Sequence, residues 1–240
     1  MLTFILISII FLAAGFIQGL SGFGSALLAM PLLTMSIDVK LAVPLCMLNS
    51  LIITSYLSFQ LRKYIEKKKV LPLLIGSLPG TFLGVYFLKN MDSEIIKLLL
   101  GILIISYSIY SLALSPAPKK FHNAWSYLAG FCTGFIGSAF SAGGPPAIIY
   151  TTLTGWSKDH IKATLSGFFF ASSIITVIVY AVNGLTTVKV VEYFSASALF
   201  VIIGVTLGSR LYDRIDRRVY IRSILVVLIM LGILMTVSAF

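Results

Sequence analysis

Long apolar runs without a charged residue alternate with short charged stretches along the whole chain. Eight runs of at least 17 residues contain no Asp, Glu, Lys or Arg: 1–37, 41–61, 70–88, 98–117, 121–157, 163–188, 193–209 and 223–240. A membrane-spanning helix needs about 20 apolar residues, with a range of about 17–25. One such run could be a buried core helix, but eight hydrophobic segments predict an all-α polytopic membrane protein.

Two of the runs, 1–37 and 121–157, are too long for one ordinary span. Each has 37 residues, which as a straight helix would reach roughly 55 Å. The hydrocarbon core of a bilayer is only about 30 Å thick. Each run is therefore either one strongly tilted helix or a helical hairpin, in which the chain breaks and returns to the side it came from.

The basic residues between the runs favour hairpins. If every run crossed the membrane once, the 18 Lys and Arg residues would divide into eight on one side and ten on the other. With the first and fifth runs broken into helical hairpins, they divide into fourteen and four, and cytoplasmic loops are enriched in Lys and Arg. We therefore expect the loops around 62–69, 119–120, 158–162 and 210–222 inside the cell, and both termini outside.

A glycine pattern repeats between the two overlong runs. Gly15, Gly19, Gly22 and Pro31 match Gly130, Gly134, Gly137 and Pro146 at a constant offset of 115. With hairpins, each half of the chain crosses the membrane an odd number of times, so the two copies are inverted. We expect an N-terminal transmembrane repeat over 1–115 and an inverted C-terminal repeat over 123–240.

A second glycine match pairs Gly80-x-x-x-Gly84 with Gly204-x-x-x-Gly208 at an offset of 124. Small residues at this spacing let two membrane helices approach closely. We expect these two motifs to be packing seams between helices.

The residue types at the two breaks indicate a site for a small anion. Glycine permits backbone conformations that other residues resist, and Gly143-Gly144-Pro145-Pro146 is typical of one helix ending and another beginning. The first turn of a helix offers free N–H groups and partial positive charge, and serines add hydroxyl donors. Close helix packing is the alternative. The candidate substrate-binding residues are Gln18, Gly19, Ser21, Gly22, Gly24, Ser25, Asn49, Thr133, Gly137, Ser138, Ser141, Gly143, Gly144 and Pro145.

For other polar residues in the runs, the pattern gives less support for a place in the substrate site. Asn49 and Ser50 in the second run, and Ser172 and Ser173 in the sixth, occupy roughly corresponding places in the two halves. They face either the site or neighbouring helices. No run contains an acid that could relay a proton or a cation, which disfavours a cationic substrate and leaves open whether a proton or a cation couples transport.

Composition excludes several other classes of protein. Only 11% of the residues are charged, against roughly 25% in soluble domains. The two cysteines form no disulfide framework or zinc motif, so we expect no metal and no cofactor. The net charge is +10. The basic residues responsible for it lie between the hydrophobic runs, which fits membrane topology better than nucleic-acid binding.

The paired glycine motifs resemble those of the sulfite exporter TauE/SafE family. The resemblance rests on Gly15-x-x-x-Gly19-x-x-Gly22-x-Gly24 with Pro31, and on the second copy that ends in Gly143-Gly144-Pro145-Pro146. It implies a bacterial or archaeal inner-membrane protein that moves small sulfur-containing anions or organic acids, such as sulfite or sulfoacetate, usually outward. The chain departs from the family pattern where Ser25-Ala26 stands in place of a glycine run.

Together these features lead to one hypothesis and two rivals. We expect a secondary transporter, an exporter of a small anion, that works by alternating access between two inverted repeats in the lipid bilayer. A passive anion channel is the alternative. An intramembrane enzyme would need a buried Ser/His, His/His or paired-carboxylate constellation, and the runs contain none.

Overall fold

A computed structural model describes residues 2–113, 124–154, 156–212 and 217–237, and all regular secondary structure in these ranges is helical. The helices are α1 (Leu2–Ser21), α2 (Ser25–Thr34), α3 (Val39–Gln60), α4 (Lys67–Asn90), α5 (Ser93–Ala113), α6 (Ala124–Phe140), α7 (Gly144–Leu153), α8 (Lys158–Val182), α9 (Val188–Leu211) and α10 (Arg217–Val237). A 3₁₀ turn at Arg62–Tyr64 lies between α3 and α4.

Within the described residues, six helices are long and apolar enough to cross a membrane. They are α1, α3, α4, α5, α9 and the Asp159–Val182 part of α8. A helix satisfies its own backbone hydrogen bonds, as the hydrocarbon core of a bilayer requires. Large apolar side chains such as Phe82, Tyr86 and Ile178 are exposed on the outer surface, where lipid chains would cover them. The prediction of an all-α, multi-pass membrane protein is confirmed.

Each overlong run contains two helices with a short break between them. The first break, between α1 and α2, contains Gly22 and Gly24 with φ of 86° and 96°. The second, between α6 and α7, contains Ser141 with φ of 57°. A residue in this left-handed region cannot continue a right-handed helix. The breaks therefore lie within the glycine-rich stretches that the sequence singles out.

Glycines hold α4 and α6 in direct backbone contact. A Cβ at Gly76 or Gly80 of α4 would overlap the carbonyl oxygen of Tyr127 or Phe131 of α6. Glycines 130 and 134 of α6 lie equally close to the carbonyls of residues 73 and 77 of α4. We call this contact the α4–α6 seam. Because residue numbers rise together along it, the two helices run in the same direction.

The same arrangement joins α1 to α9. A Cβ at Gly15 would lie 2.7 Å from the carbonyl oxygen of Val201, and one at Gly19 would lie 2.6 Å from that of Val205. Glycines 204 and 208 of α9 meet the carbonyls of residues 12 and 16 of α1. This α1–α9 seam is also parallel. The prediction that the two Gly-x-x-x-Gly motifs, Gly80–Gly84 and Gly204–Gly208, are packing seams is confirmed.

The seams join helices from opposite halves of the chain. Helix α1 packs on α9 and α6 packs on α4, while α3 packs on α8 and α5 packs on α10. Every one of these pairs has one member from the first 113 residues and one from residues 124–237. The two halves are thus interleaved, and neither forms a separate unit.

One end of the bundle carries a cluster of charged and aromatic side chains. The Glu66 carboxylate lies 2.7 Å from Lys69 Nζ and 2.9 Å from His160 Nδ1. Lys69 Nζ also lies 4.6 Å from the centre of the Trp156 ring. We call this the basic end, because the loop that contains Arg62–Tyr64 and the first turn of α4 carry five basic residues.

At the opposite end, the loop between α2 and α3 meets the turn between α4 and α5. Ser93 Oγ donates a 2.9 Å hydrogen bond to Asp38, and Lys40 Nζ donates one of 3.3 Å to the carbonyl of Lys89. Asp38 also caps α3 by accepting a hydrogen bond from the backbone N–H of Lys40. The end of α2 and the end of α4 therefore lie together.

Candidate functional site

The two helix breaks meet at a small cavity inside the bundle. About 60 Å³ of it is open to the centre of a water-sized sphere, and by that measure one water molecule needs roughly 10–15 Å³. The space holds a few waters or one small ion. Its lining residues come from both breaks and from α3, α6 and α8: Gln18, Phe23, Gly24, Ser25, Ala26, Leu27, Met47, Ser50, Thr133, Gly134, Gly137, Ser141, Ala142, Gly143, Gly144, Phe169, Ser172, Ser173 and Thr176.

Two helices begin at the wall of this cavity. Ser25 starts α2 and Gly144 starts α7, and both residues line the cavity. Neither N-terminus is capped by a side chain. Because the first N–H groups of a helix have no partner within the helix and its N-terminus carries a partial positive charge, both helices direct positive potential into the cavity.

The two N-termini differ in how many N–H donors they offer. In α7 the residues after Gly144 are Pro145 and Pro146, which have no N–H. The first turn of α2 contains no proline, so Ser25, Ala26 and the next residue all have one. Helix α2 is therefore the richer donor, while α7 contributes mainly through its dipole.

Two buried hydroxyl groups, one on α6 and one at the second break, lack a hydrogen-bond partner within the described residues. Thr133 Oγ1 and Ser141 Oγ are buried, and their side chains are 3% and 8% exposed. Burying a hydroxyl without a hydrogen bond costs roughly 1–3 kcal/mol on the scale of protein mutations. Since both residues line the cavity, a bound molecule with acceptor oxygens would satisfy them.

A side-chain hydrogen bond spans the first break. Ser25 Oγ, at the start of α2, donates to the amide oxygen of Gln18, near the end of α1. Gln18 is buried at 3% exposure, and its NH₂ group keeps two donors. The pair fixes the angle of the first break and leaves the amide of Gln18 as a donor at the cavity.

Helix α8 forms the wall opposite the breaks. Phe169, Ser172, Ser173 and Thr176 all line the cavity, and their i, i+3, i+4, i+7 spacing places them on one helix face. Thr176 Oγ1 donates to the carbonyl of Ser172 at 2.9 Å. The sequence contains this signal as a polar stripe on an apolar helix, but Phe169 and Thr176 were not among the predicted candidates.

The neighbouring residues Asn49 and Ser50 on α3 have different environments. Asn49 is fully buried and does not line the cavity. It donates to the carbonyl of Leu45 at 3.0 Å and accepts a 3.1 Å hydrogen bond from Ser197 of α9. Ser50 lines the cavity. One step along a helix turns a side chain by about 100°, which separates the two.

Three more of the predicted site residues are buried away from the cavity or packed against another helix. Gly19 lies in the α1–α9 seam, where it approaches the backbone of Val205 and Ser209. Ser138 is fully buried and donates to the carbonyl of Thr81 at 3.0 Å. Pro145 is buried in the first turn of α7. None of the three is among the residues that line the cavity.

Ser21 and Gly22 do not line the cavity. Ser21 Oγ donates to the carbonyl of Ile17 at 2.7 Å. The Cα of Gly22 faces Lys162, since a Cβ built there would lie 2.9 Å from the Cγ of that lysine. The remaining predicted residues, Gln18, Gly24, Ser25, Thr133, Gly137, Ser141, Gly143 and Gly144, do line the cavity.

Lys162 is a buried cation beside the first break. The sequence analysis assigns it to a basic loop, whereas the structure places it in the second turn of α8 with 8% exposure. Its Nζ donates to the carbonyl of Gly19 at 3.3 Å and lies 3.5 Å from the centre of the Tyr212 ring. Its place at the edge of an apolar run made a loop and a helix position indistinguishable in the sequence.

The cavity offers donors and positive potential without a charged side chain among its lining residues. Its polar groups are hydroxyls, the Gln18 amide and the N–H groups of the two helix starts. No group of three or more His, Cys, Asp or Glu side chains that could hold a metal lies within the described ranges. Such an environment suits a small anion, which accepts hydrogen bonds and is held by helix N-termini.

Comparison with known protein families gives one match over nearly the full length. The family described as "Sulfite exporter TauE/SafE" matches residues 7–235. Comparisons with curated proteins and with solved structures give no match.

Proposed function

The chain belongs to the sulfite exporter TauE/SafE family of membrane transporters, and we propose that it is a secondary transporter that exports a small anion bound where the two helix breaks meet. The observation that carries the proposal is the cavity at the starts of α2 and α7, where two uncapped helix N-termini and the unpartnered hydroxyls of Thr133 and Ser141 converge. We place the protein in the inner membrane of the cell.

The proposed substrate is a sulfur-containing anion such as sulfite or an organosulfonate. Its negatively charged oxygens can each accept hydrogen bonds from hydroxyls or backbone N–H groups. Phe23, Met47 and Phe169 give the cavity an apolar side, which suits the short carbon chain of an organosulfonate. Because no charged side chain lines the cavity, the anion is held by dipoles, and release on the other side costs less than breaking a buried ion pair.

We further propose that residues 1–115 and 123–240 are inverted repeats. The pairing of helices supports this, because α1 on α9 and α6 on α4 are equivalent contacts with the two halves exchanged. The breaks also correspond, since α2 and α7 have ten residues each. At about 15 Å, a ten-residue helix reaches only part of the way across a bilayer.

The contact between Glu66 and His160 supports a hairpin in the fifth run. With single crossings throughout, the loop before α4 and the start of α8 would lie on opposite sides of the membrane. The structure brings them to 2.9 Å. We therefore assign the basic end to the cytoplasm, following the excess of Lys and Arg there, and the start of α1 to the outside.

Alternating access would then occur at the breaks. The two seams are backbone-to-backbone contacts that join one helix from each half, so sliding along them would force carbonyls into Cα atoms. Gly22 and Gly24 in the first break, and Ser141 and Gly143 in the second, lie in irregular backbone. We propose that α2 and α7 tilt about these residues while the seams stay intact, which exposes the cavity to each side in turn.

Efflux from proteoliposomes tests the proposal. Purified wild-type protein is reconstituted into vesicles loaded with sulfite, and release is followed after dilution. We expect Thr133→Val with Ser141→Ala to reduce efflux at least tenfold, because two hydroxyls among the donors are lost, and Gly144→Val to abolish it by filling the cavity. Ser195→Ala, an exposed serine on α9, is the matched control. Unchanged efflux in all the site variants would refute the site.

The same vesicles distinguish a secondary transporter from a passive channel. A channel lets the anion move only down its own electrochemical gradient. With equal sulfite on both sides and an imposed proton gradient, a proton-coupled transporter accumulates the anion on one side. Net movement that follows only the anion gradient and the membrane voltage, under both proton and sodium gradients, would support the channel.

A further inference from the structure

A second cavity, separate from the one at the breaks, opens between α3, α4 and α8 at the basic end. Its volume by the same measure is about 630 Å³, roughly ten times that of the first. The walls are mainly apolar and include Phe59, Leu71 and Phe170. Phe59 and Leu71 are 70% and 54% exposed. A large apolar recess with exposed rims between membrane helices is suited to an acyl chain.

One buried hydroxyl in this cavity has no hydrogen-bond partner in the described part of the chain. Ser58 of α3 lines the cavity, its side chain is 8% exposed, and its buried Oγ has no hydrogen-bond partner within the described residues. Serines inside helices usually bond to the carbonyl one turn back, as Ser55 does to that of Leu51 at 2.6 Å. Ser58 instead keeps a free donor that an ester oxygen of a lipid would accept.

The rim of the cavity has an unbalanced positive charge. Lys67 lines the cavity and is followed by Lys68, and both side chains are exposed. They occupy the first turn of α4, which contains no acidic residue. Cations at a helix N-terminus are repelled by its dipole. The acid just before the helix, Glu66, is held by Lys69 and His160, so it does not neutralise the two lysines.

An anion at the rim would relieve this imbalance. The N–H groups of the first residues of α4 have no partner within the helix and, with the two lysine side chains, form a phosphate-binding arrangement. Lys67 itself lines the apolar cavity. A phosphate attached to acyl chains is the ligand that uses the basic rim, the unpartnered Ser58 and the apolar recess together.

We propose that the cavity between α3, α4 and α8 binds one anionic phospholipid, with its phosphate at Lys67 and Lys68 and an acyl chain between Phe59, Leu71 and Phe170. The site is distinct from the substrate site: adjacent residues of α8, Phe169 and Phe170, line the first and second cavity respectively. A lipid bound here therefore contacts α8, the same helix that forms one wall of the proposed substrate cavity.

The test compares phosphatidylglycerol with phosphatidylcholine of the same acyl chains. Delipidated protein in detergent is titrated with each lipid, and the melting temperature and the lipid retained in native mass spectrometry are measured. We expect wild-type protein to bind phosphatidylglycerol more tightly. Lys67→Gln with Lys68→Gln should weaken that binding about 25-fold, since each lysine near an anionic lipid contributes a factor of about five. Lys89→Gln, an exposed lysine at the other end of α4, is the matched control.

Two further measurements show whether the acyl chain or the phosphate alone is recognised. Leu71→Trp should fill the mouth of the cavity and abolish retention of phosphatidylglycerol, while inorganic phosphate alone should produce no comparable shift. Equal affinity for both lipids, an unchanged preference in the double lysine variant, or a shift by free phosphate as large as that by lipid would overturn the proposal. Because Lys67 and Lys68 are exposed, their substitution tests binding without disturbing the fold. No substrate is present, so the outcome is independent of transport.

Discussion

The hydroxyl of Tyr180 on α8 donates a 2.6 Å hydrogen bond to the carbonyl oxygen of Ser138 on α6. Both residues are buried. Ser138 lies in the last turn of α6, just before the second break, and α8 contributes Phe169, Ser172, Ser173 and Thr176 to the lining of the cavity at the breaks. The hydrogen bond therefore joins α8 to the C-terminal end of α6, directly before the second break.

Removing this hydroxyl should destabilise the protein modestly. A buried hydrogen bond contributes about 1 kcal/mol net, so Tyr180→Phe should lower the free energy of unfolding by about that amount. A melting temperature reduced by about 2–4 °C relative to wild type would be the expected reading. Tyr86→Phe is the matched control, because Tyr86 is 70% exposed. Equal melting temperatures for wild type and both variants would contradict the assigned bond.

The seams should tolerate no side chain. In Gly80→Ala the new Cβ would overlap the Phe131 carbonyl, and backbone atoms cannot move aside as a flexible side chain can. We expect a loss of stability of about 1–3 kcal/mol, typical of overpacking. In the helical control Gly167→Ala, the nearest atoms belong to the Ile65 side chain, at 3.2 Å or more. Unfolding in a denaturing detergent series measures both.

That result would also explain why the glycine pattern was only partly informative. The glycine-rich stretch around Gly15 and Gly19 predicted a substrate site that includes Gly19, with close helix packing as the alternative, and in the structure both residues lie in a seam. Glycines with φ above zero, such as Gly24, mark the break itself. A sequence contains the spacing of glycines but not their backbone angles. It could therefore locate the breaks, but it could not tell a glycine at a break from a glycine in a seam.

The polar lining of the cavity contains a second feature that the sequence could not predict. Asn49 was among the predicted substrate-binding residues, whereas the neighbouring Ser50 was not. In the structure Asn49 is fully occupied by Leu45 and Ser197, and Ser50 lines the cavity. Which of two adjacent residues faces the cavity depends on the rotation of α3 about its axis. That rotation is set by packing against α8 and α9, which local sequence does not contain.

Lys162 should be needed to hold the first break. Its ammonium donates to the carbonyl of Gly19, near the C-terminal end of α1, where a positive charge is favoured. Hydrogen bonds to charged groups contribute about 1.5–3 kcal/mol, so Lys162→Met should lower stability by that order. Lys189→Met is the control, because Lys189 also lies over a tyrosine, Tyr193 at 6.0 Å, but is exposed. If both variants melt alike, Lys162 has no such role.

The cluster at the basic end should loosen only in acid. The hydrogen bond from Lys69 lowers the pKa of Glu66, with smaller contributions from the charges of Lys69 and His160. A carboxylate whose pKa is lowered in the folded state stabilises it above the unfolded pKa of about 4.3, and this stabilisation is lost as the pH falls through the folded value.

Trp156 reports this change, because Lys69 lies over its ring. In a Trp125→Phe background, Trp156 fluorescence should stay constant from pH 6 down to about 4.5 and change below it. The same protein with Glu66→Gln should lack the acid transition. A transition in wild type that is complete above pH 5, or one that persists in the Glu66→Gln variant, would show that another group controls the cluster.

The strongest test of the inverted arrangement is the side of the membrane on which each loop lies. Single cysteines are placed at positions 68, 189 and 217 in a chain whose Cys46 and Cys132 are replaced by alanine. A membrane-impermeant maleimide is then applied to intact cells and to inside-out vesicles. Hairpins at both breaks put positions 68 and 217 in the cytoplasm and position 189 outside.

Positions 68 and 217 together distinguish the hairpin arrangement from single crossings throughout. In the hairpin arrangement an even number of crossings separates them, because the fifth run returns to its own side. Single crossings throughout would put an odd number between them and label them from opposite sides. Position 68 lies one residue from Lys69, which contacts Trp156 after the second hairpin, so labelling of 68 and 217 from opposite sides would contradict both the charge distribution and that contact.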